Sequence, residues 1–267
     1  MRRSSSQPNS QGPFRADQLR PGDPYELSHG HPIQCFPTGG RGSKATGAGA
    51  AVLVSDPAVR DMGVDTGFSS APDMLRAPDL SVGEIPEQPG WVQGTPPLAV
   101  EYADTGQDEG ELAAKIQELL AAGTRFIWVV RLTGPRRVEV HQPDKAMSIA
   151  NPGEELLAPG ILANPVRVEA LYDRNAALEA TLRNLLQRQG YDSLEAVQAE
   201  GEARGRLAEL QAAILEILAG RGIGVDGAFR AALAAEGDLE VLRAFLRRAA
   251  TAASAVEVLS SQPSPPR

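Results

Sequence analysis

The chain has 267 residues, a hydrophobic content of 42% and an aromatic content of only 4%, so its core must be built mainly from aliphatic side chains. Its formal net charge of −8 excludes the broadly basic surface of proteins that coat duplex nucleic acid without sequence preference. Any nucleic-acid binding must therefore depend on a local patch or on a metal ion that inverts the local field.

The chain has one cysteine, Cys35, which excludes an intrachain disulfide. No apolar run reaches the length of a membrane span. The N-terminal stretch "MRRSSSQPNSQGP" has basic residues but lacks the apolar segment of a secretory signal. We therefore expect a cytoplasmic protein that makes no membrane contact.

The first hundred residues predict short strands around one helix. Residues 1–20 are rich in Ser, Gln, Pro and Arg, and we expect them to form a disordered tail. The stretch "YELSHGHPIQCF" predicts two short strands around a turn near Gly30. A helix is predicted from about Ser43, although Gly47 and Gly49 weaken it. Three strand-like runs follow, "VDTGFSS", "APDLSVG" and "PLAVEYA".

The middle of the chain predicts a helix followed by two strands. Asp108, with Glu111 three residues later, forms a capping-box pattern, and Gly123 is a natural C-terminal stop, so a helix is predicted from about Glu109 to Ala122. The run "RFIWVV" is apolar on both faces and predicts a central strand. The run "RRVEVHQP" alternates in polarity and predicts a strand with one solvated face.

From about residue 174 the sequence becomes almost wholly helical and is rich in Ala, Leu, Glu and Arg. Apolar stripes in its helices, such as the one formed by Leu178, Leu182, Leu185 and Leu186, must be buried somewhere. We therefore expect residues 176–260 to form a separate helical appendage, used for self-association as a homo-oligomer or for docking a protein partner. The last residues, 261–267, are predicted to be a disordered tail.

Two acids occur in strand-like runs whose other members on the same face are small. In a strand, alternate residues share a face. Glu101 therefore lies with Ala99 and Ala103, and Asp79 lies with Ser81 and Gly83. This leaves room beside each carboxylate for an ion, a water molecule or a phosphate group.

A lysine on the following helix can reach the same place. Lys115 lies at the edge of the apolar stripe that contains Leu112, Ile116 and Leu119, whereas Glu118 is expected on the far side. Each of these charged residues, taken alone, is more typical of a solvated strand face or of a lysine whose ammonium extends into water. The sequence pattern leaves that alternative open.

Six segments occur in order between Pro24 and Arg174: "YELSHGHPI", "VDTGF", "LRAPDLSVG", "PPLAVEYAD", "KIQELLAAGTRFIWVV" and "RRVEVHQP". Together they resemble the Uma-type putative restriction endonuclease family of the PD-(D/E)XK nuclease superfamily. The resemblance implies an α/β fold over residues 21–175, with a restriction-endonuclease-like mixed sheet flanked by helices.

The resemblance also implies roles for individual residues. Asp79 is the acid of the "PD" element, and Glu101 is the acid of the "(D/E)XK" element. Ala103 stands where the superfamily usually has its lysine, and Lys115 on the next helix takes that position. Glu26 matches an additional acid that the superfamily often places near the site.

The implied activity is metal-dependent hydrolysis of phosphodiester bonds in DNA. Asp79, Glu101 and Glu26 would hold Mg²⁺ or Mn²⁺, and Lys115 would orient the attacking water or stabilise the developing charge. The alternative is a nuclease-like fold that no longer cuts and serves as a protein interaction module, which the acidic balance favours. A zinc site is not predicted, because the three histidines are scattered along the chain.

Overall fold

The computed structural model describes residues 12–260, which divide into two compact units, one ending at Gly190 and the other beginning at Tyr191. Residues 1–11 of the predicted N-terminal tail and the whole predicted C-terminal tail, 261–267, lie outside the described residues. Apart from two short 3-10 helices (Ala16–Gln18 and Val168–Leu171), the elements in chain order are β1 (Tyr25–Ser28), β2 (His31–Gln34), α1 (Gly40–Ser55), β3 (Met62–Val64), β4 (Phe68–Ser69), β5 (Leu80–Val82), β6 (Val92–Gln93), β7 (Leu98–Ala103), α2 (Glu109–Ala121), β8 (Phe126–Arg131), β9 (Arg137–His141), β10 (Ser148–Ala150), β11 (Glu155–Leu156), β12 (Val166–Arg167), α3 (Arg174–Arg188), α4 (Leu194–Gly220), α5 (Gly227–Ala235), α6 (Leu239–Ala249) and α7 (Ala255–Leu259).

The first unit is built on a six-stranded mixed sheet with the order β10-β9-β8-β7-β5-β3. β7 and β8 are parallel and are joined by α2, whereas the other neighbouring pairs are antiparallel. A parallel pair needs such a crossover connection, and the crossover places α2 on one face of the sheet. The predicted α/β class, with a mixed sheet flanked by helices, is confirmed.

The two faces of β7 pack against different helices. Val100 and Tyr102 belong to the core on the α1 side, together with Trp128 of β8. Ala99 and Ala103 belong to a second core on the opposite face, whose other members come from α2 and β8: Leu112, Ile116, Leu119, Ile127 and Val129. Glu101 is two residues from each of these alanines, so it shares their face and lies on the α2 side of the sheet.

The glycine-rich sequence of α1 has a structural reason. The helix begins at Gly40, earlier than the predicted Ser43. Gly49 is buried against the sheet, and a Cβ at this position would overlap the hydroxyl of Tyr102. That hydroxyl donates a hydrogen bond of 2.9 Å to the carbonyl of Leu171. A larger residue at position 49 would displace this buried tyrosine.

The first unit extends beyond the predicted boundary at residue 175, because α3 packs on α1. Nδ2 of Asn184 donates to the Val52 carbonyl at 3.2 Å and to Ser55 Oγ at 3.1 Å. The Arg188 guanidinium donates to the carbonyls of Ser55 at 2.8 Å and of Asp56 and Val59 at 2.6 Å each. These donors bind carbonyls at and just beyond the C-terminal end of α1, where the helix itself supplies no partner.

The leucine stripe of α3 is not the face that packs on α1. Leu178, Leu182 and Leu185 are 54%, 49% and 49% exposed, whereas Ala177 and Asn184 are buried. Small and polar side chains therefore make the contact with α1, and the expectation that the leucines would bury this helix is wrong for these three residues.

Residues 12–20 are part of the first unit and are not a disordered tail. The Ala16 carbonyl accepts a hydrogen bond of 2.9 Å from Trp91 Nε1, and the amide of Ala16 donates to the Pro72 carbonyl at 2.8 Å. The amide of Phe14 donates to the Gly30 carbonyl at 2.8 Å. These contacts are with residues distant in sequence, so the local composition did not reveal them.

The second unit consists of α4 to α7 and has its own apolar core, formed by Ile214, Leu218, Phe229, Leu233, Leu242, Phe245, Ala249 and Val258. Nε2 of Gln211 donates to the carbonyls of Leu233 and Glu236 at 3.0 and 3.2 Å, which ties α4 to the end of α5. None of the helices within residues 12–260 is long and apolar enough to cross a membrane.

We expect a chain that ends at Gly190 to fold, and a chain that ends at Asp173 to be destabilised by at least about 3 kcal/mol, because the shorter chain lacks the Asn184 and Arg188 donors. Urea unfolding followed by circular dichroism measures the difference. Equal stability of the two truncations would contradict the assignment of α3 to the first unit.

Light scattering of the longer truncation beside the full chain tests the predicted self-association through the C-terminal helices.

Candidate active site

A cavity of about 440 Å³ is lined in part by the segments that follow β3 and precede β5. Its charged lining includes Glu26, Asp65, Asp79 and Lys115. Cys35 also lies on its wall and is exposed. The cavity therefore contains three of the four residues that the sequence singled out for catalysis or metal binding.

Asp79 and Glu101 lie on neighbouring segments of the sheet. β5 and β7 pair antiparallel with Leu80 opposite Val100, so continuing this register by one residue places Asp79 opposite Glu101. Asp79 Oδ2 accepts a hydrogen bond of 2.6 Å from the backbone amide of Tyr102, which holds the carboxylate against β7.

The ammonium of Lys115 connects the acids. Its Nζ lies 2.9 Å from Glu101 Oε1 and 3.0 Å from Glu26 Oε1, and it donates to the Ala77 carbonyl at 2.8 Å. Lys115 reaches these atoms because the small side chains on the α2 side of β7 let the helix approach the sheet closely. Two of these contacts are hydrogen bonds, to Glu26 and to the Ala77 carbonyl, and the contact with Glu101 is an ion pair.

A buried arginine that the sequence analysis missed joins the same network. Arg76 is only 3% exposed and lies 3.0 Å from Glu26 Oε2, 2.7 Å from Glu111 Oε1 and 2.6 Å from Glu118 Oε2. The sequence signal for this residue is its position in the mostly apolar run "MLRAPDL", which indicates burial. A buried charge requires partners, so such an arginine is expected to bind acids.

Glu118 was expected on the far side of α2, and this expectation is wrong. It follows Lys115 by three residues, and residues at this spacing lie close together on a helix surface. Its carboxylate binds Arg76 and accepts a hydrogen bond of 2.5 Å from Ser28 Oγ.

The site holds an excess of negative charge in a buried place. Burial raises the pKa of Glu101 to about 8; Lys115 opposes this shift, while the charges of Asp79 and Glu26 add to it. Burial also raises the pKa of Asp79. Burial acts to lower the pKa of Lys115, but the carboxylates of Glu101 and Glu26 outweigh it and raise that pKa overall. Lys115 therefore stays charged, and the carboxylates around it favour a further cation.

Asp79 and Glu101 fit a hard divalent cation better than Glu26 does. Between residues 12 and 260, no group of three or more His, Cys, Asp or Glu side chains is arranged to hold a metal ion. Both oxygens of Glu26 are already bound by cations, Oε1 by Lys115 and Oε2 by Arg76. Glu101 Oε1 makes an ion pair with Lys115 but accepts no hydrogen bond of good geometry. Carboxylate oxygens are the ligands that Mg²⁺ prefers.

The mixed sheet, its β7-α2-β8 crossover and the buried acid and lysine cluster define a restriction-endonuclease-like fold. A family model described as "Uma2: Putative restriction endonuclease" matches residues 14–167, more than half of the chain. The chain belongs to this family, which confirms the resemblance found in the sequence.

A solved structure supports the same fold. The crystal structure of a putative nuclease belonging to DUF820 from Anabaena variabilis matches with a TM-score of 0.51 and 18% sequence identity, over 62% of this chain and 99% of that chain. No curated protein matches the chain in a sequence comparison.

The raised pKa of Glu101 predicts how stability depends on pH in metal-free buffer. The unfolded carboxyl loses its proton near its ordinary value of 4.5, whereas the folded one keeps it until about pH 8. The folded state therefore binds more protons in this window, and the Glu101 contribution to the free energy of unfolding falls as pH rises from about 4.5 to about 8.

Urea unfolding of the wild type and of Glu101→Gln between pH 5 and pH 8 checks this prediction. We expect the wild type to lose stability relative to the variant as pH rises. Mg²⁺ should reduce the loss, because the metal binds the deprotonated carboxylate. Parallel curves for the two proteins would show that Glu101 does not titrate in this window.

Proposed function

We propose that this protein is a metal-dependent endonuclease that hydrolyses phosphodiester bonds of DNA. The observation that carries the proposal is that Asp79 and Lys115 line one cavity and that Lys115 Nζ lies 2.9 Å from Glu101 Oε1. Family membership supports a nuclease, and the choice of DNA rests on the family's description as a restriction endonuclease.

Asp79 and Glu101 would hold the divalent cation, Mg²⁺ or Mn²⁺. When bound, the ion would lower the pKa of a water molecule and stabilise negative charge on the phosphoryl oxygens. The Asp79 carboxylate is already oriented by its hydrogen bond from the Tyr102 amide. This carboxylate therefore needs little rearrangement to act as a ligand.

Lys115 would donate a hydrogen bond to a phosphoryl oxygen or to the attacking water. Its ammonium is buried, and burial strengthens its interaction with charge that develops in the transition state. Glu26 and the Ala77 carbonyl hold the ammonium beside Glu101. This fixes the donor before the substrate arrives, which is how such groups contribute to rate.

Cleavage of plasmid DNA, single-stranded DNA and RNA with Mg²⁺ or Mn²⁺ tests the proposal. We expect cleavage of DNA by the wild type, no cleavage in EDTA, and a loss of at least about 100-fold in Asp79→Asn, Glu101→Gln and Lys115→Met. Asp23→Asn is the matched control, because Asp23 lines the same cavity without contacting this cluster, and its rate should stay close to that of the wild type.

Two results would refute the mechanism: activity that persists in EDTA, and activity that survives in both acid variants. The second candidate function is an interaction module that does not cut. It is favoured by the ion pairs that Lys115 makes with Glu26 and Glu101, because they engage the ammonium that the cleavage mechanism needs. Folded wild-type protein that leaves all three substrates intact with both metals would support this candidate.

A further inference from the structure

We propose that Arg76 is a positioning residue that holds Lys115 in place through Glu26. The catalytic importance of this arrangement rests on the proposed nuclease function, whereas the arrangement itself does not. Arg76 is buried and does not line the cavity, so it contacts no substrate there.

The two oxygens of Glu26 are divided between two cations. Oε2 accepts from Arg76 Nη1 at 3.0 Å, and Oε1 accepts from Lys115 Nζ, also at 3.0 Å. The guanidinium is planar and is itself held by Glu111 and Glu118, so its bond to Oε2 restricts the orientation of the Glu26 carboxylate. Arg76 thereby directs Glu26 Oε1 at the lysine.

The backbone explains why Arg76 and Glu26 meet. β1 pairs within its sheet only with β2, among the described residues, and is thus a short hairpin strand. Leu27 of this strand exchanges backbone hydrogen bonds of 2.8 and 3.0 Å with Leu75. The residues adjacent to this bridge are Glu26 and Arg76, and their ion pair fixes the hairpin acid to the segment that leads to Asp79.

Arg76 also fixes the helix that carries Lys115. It binds Glu111, one turn before Lys115, at 2.7 Å, and Glu118, one turn after it, at 2.6 Å. The three α2 residues therefore share one face, with the lysine between two anchors. A single guanidinium positions both the helix and the carboxylate that the lysine binds.

Loss of Arg76 would leave Glu26 Oε2 buried without its cation. The freed carboxylate could rotate, so that Oε1 would no longer be held toward the Lys115 ammonium and the lysine would be held less firmly. This assigns Glu26 a role in holding the lysine, in place of the metal-ligand role that the family resemblance implied.

The chain has only three lysines, Lys44, Lys115 and Lys145, which allows a direct test. Lys44 and Lys145 are exposed and serve as internal references for amine acetylation of the full chain, followed by mass spectrometry. We expect Lys115 to react slowly in the wild type and at least about 10-fold faster in Arg76→Met, with Arg76→Lys intermediate, in keeping with the usual cost of losing such supporting contacts.

Arg131→Met is the matched control. Arg131 is also largely buried and binds Glu109 of α2 at 2.6 Å and Glu139 at 2.9 Å, but it does not contact Glu26. Its loss should leave the acetylation of Lys115 unchanged. If it raises the rate as much as Arg76→Met does, a general loosening of the fold explains the effect and the proposal is overturned.

The dependence on Glu26 is tested with Glu26→Gln and the double variant. If Arg76 acts through Glu26, the double variant should show no more Lys115 reactivity than Glu26→Gln alone. Additive increases would overturn the proposal, as would an unchanged rate in Arg76→Met. If Arg76→Met does not fold, Glu26→Gln and Arg76→Lys decide the matter, because both must raise the rate.

Kinetics provide a readout that distinguishes positioning from simple structural support. For the DNA cleavage described above, Arg76→Met should lower kcat by about 10- to 100-fold with little change in KM, and it should cause no further loss in a Lys115→Met background. A change in KM alone would overturn the positioning role. If the wild type does not cleave at all, the nuclease proposal fails, and acetylation still decides whether Arg76 holds Lys115.

Discussion

A buried lysine stays charged in this protein because carboxylates from two separate strands meet its ammonium. Transfer of a lone ammonium into a protein interior is costly, and the group would ordinarily lose its proton there. Glu26 of β1 and Glu101 of β7 prevent this by lying within 3.0 Å of Lys115 Nζ. The hairpin, the central strand and α2 must therefore all be placed correctly for the charge to be tolerated.

The same cluster opposes folding when no further cation is present. Removing one partner of a buried ion pair is strongly destabilising, so each charge constrains the others. The raised pKa of Glu101 shows that Lys115 does not fully offset the effects of burial and of the surrounding carboxylates. Under the proposed function, a site that is short of positive charge in this way would gain stability when a cation binds, which would couple metal binding to the stability of the segments that meet at Lys115.

The sequence predicted those features of the site that depend on local periodicity. The alternation of Ala99, Glu101 and Ala103 placed the acid on the side of the sheet where α2 packs, and the apolar stripe of α2 placed Lys115 at its edge. The capping box at Asp108 predicted the start of that helix, and the Asp108 side chain accepts from the Glu111 amide at 3.0 Å.

Contacts between distant segments were not predicted. The Arg76–Glu26 pair spans 50 residues and the Arg188–Ser55 contact spans 133, and neither leaves a periodic signal. The leucines of α3 led to a predicted domain boundary before this helix. The helix instead packs on the first unit through alanine, asparagine and arginine.

The position of the lysine explains why so many residues are committed to holding it. In the usual superfamily pattern, a lysine two residues after the second acid would be aligned with that acid by the strand itself. Here Ala103 occupies that place and Lys115 comes from a helix, so its alignment depends on how α2 packs. The packing requires small residues at Ala99 and Ala103, and it requires acids on α2 that bind a fixed cation. With the lysine on a helix and not on the strand, the backbone of β7 cannot align it with Glu101. The buried side chains of Glu26 and Arg76 align it instead.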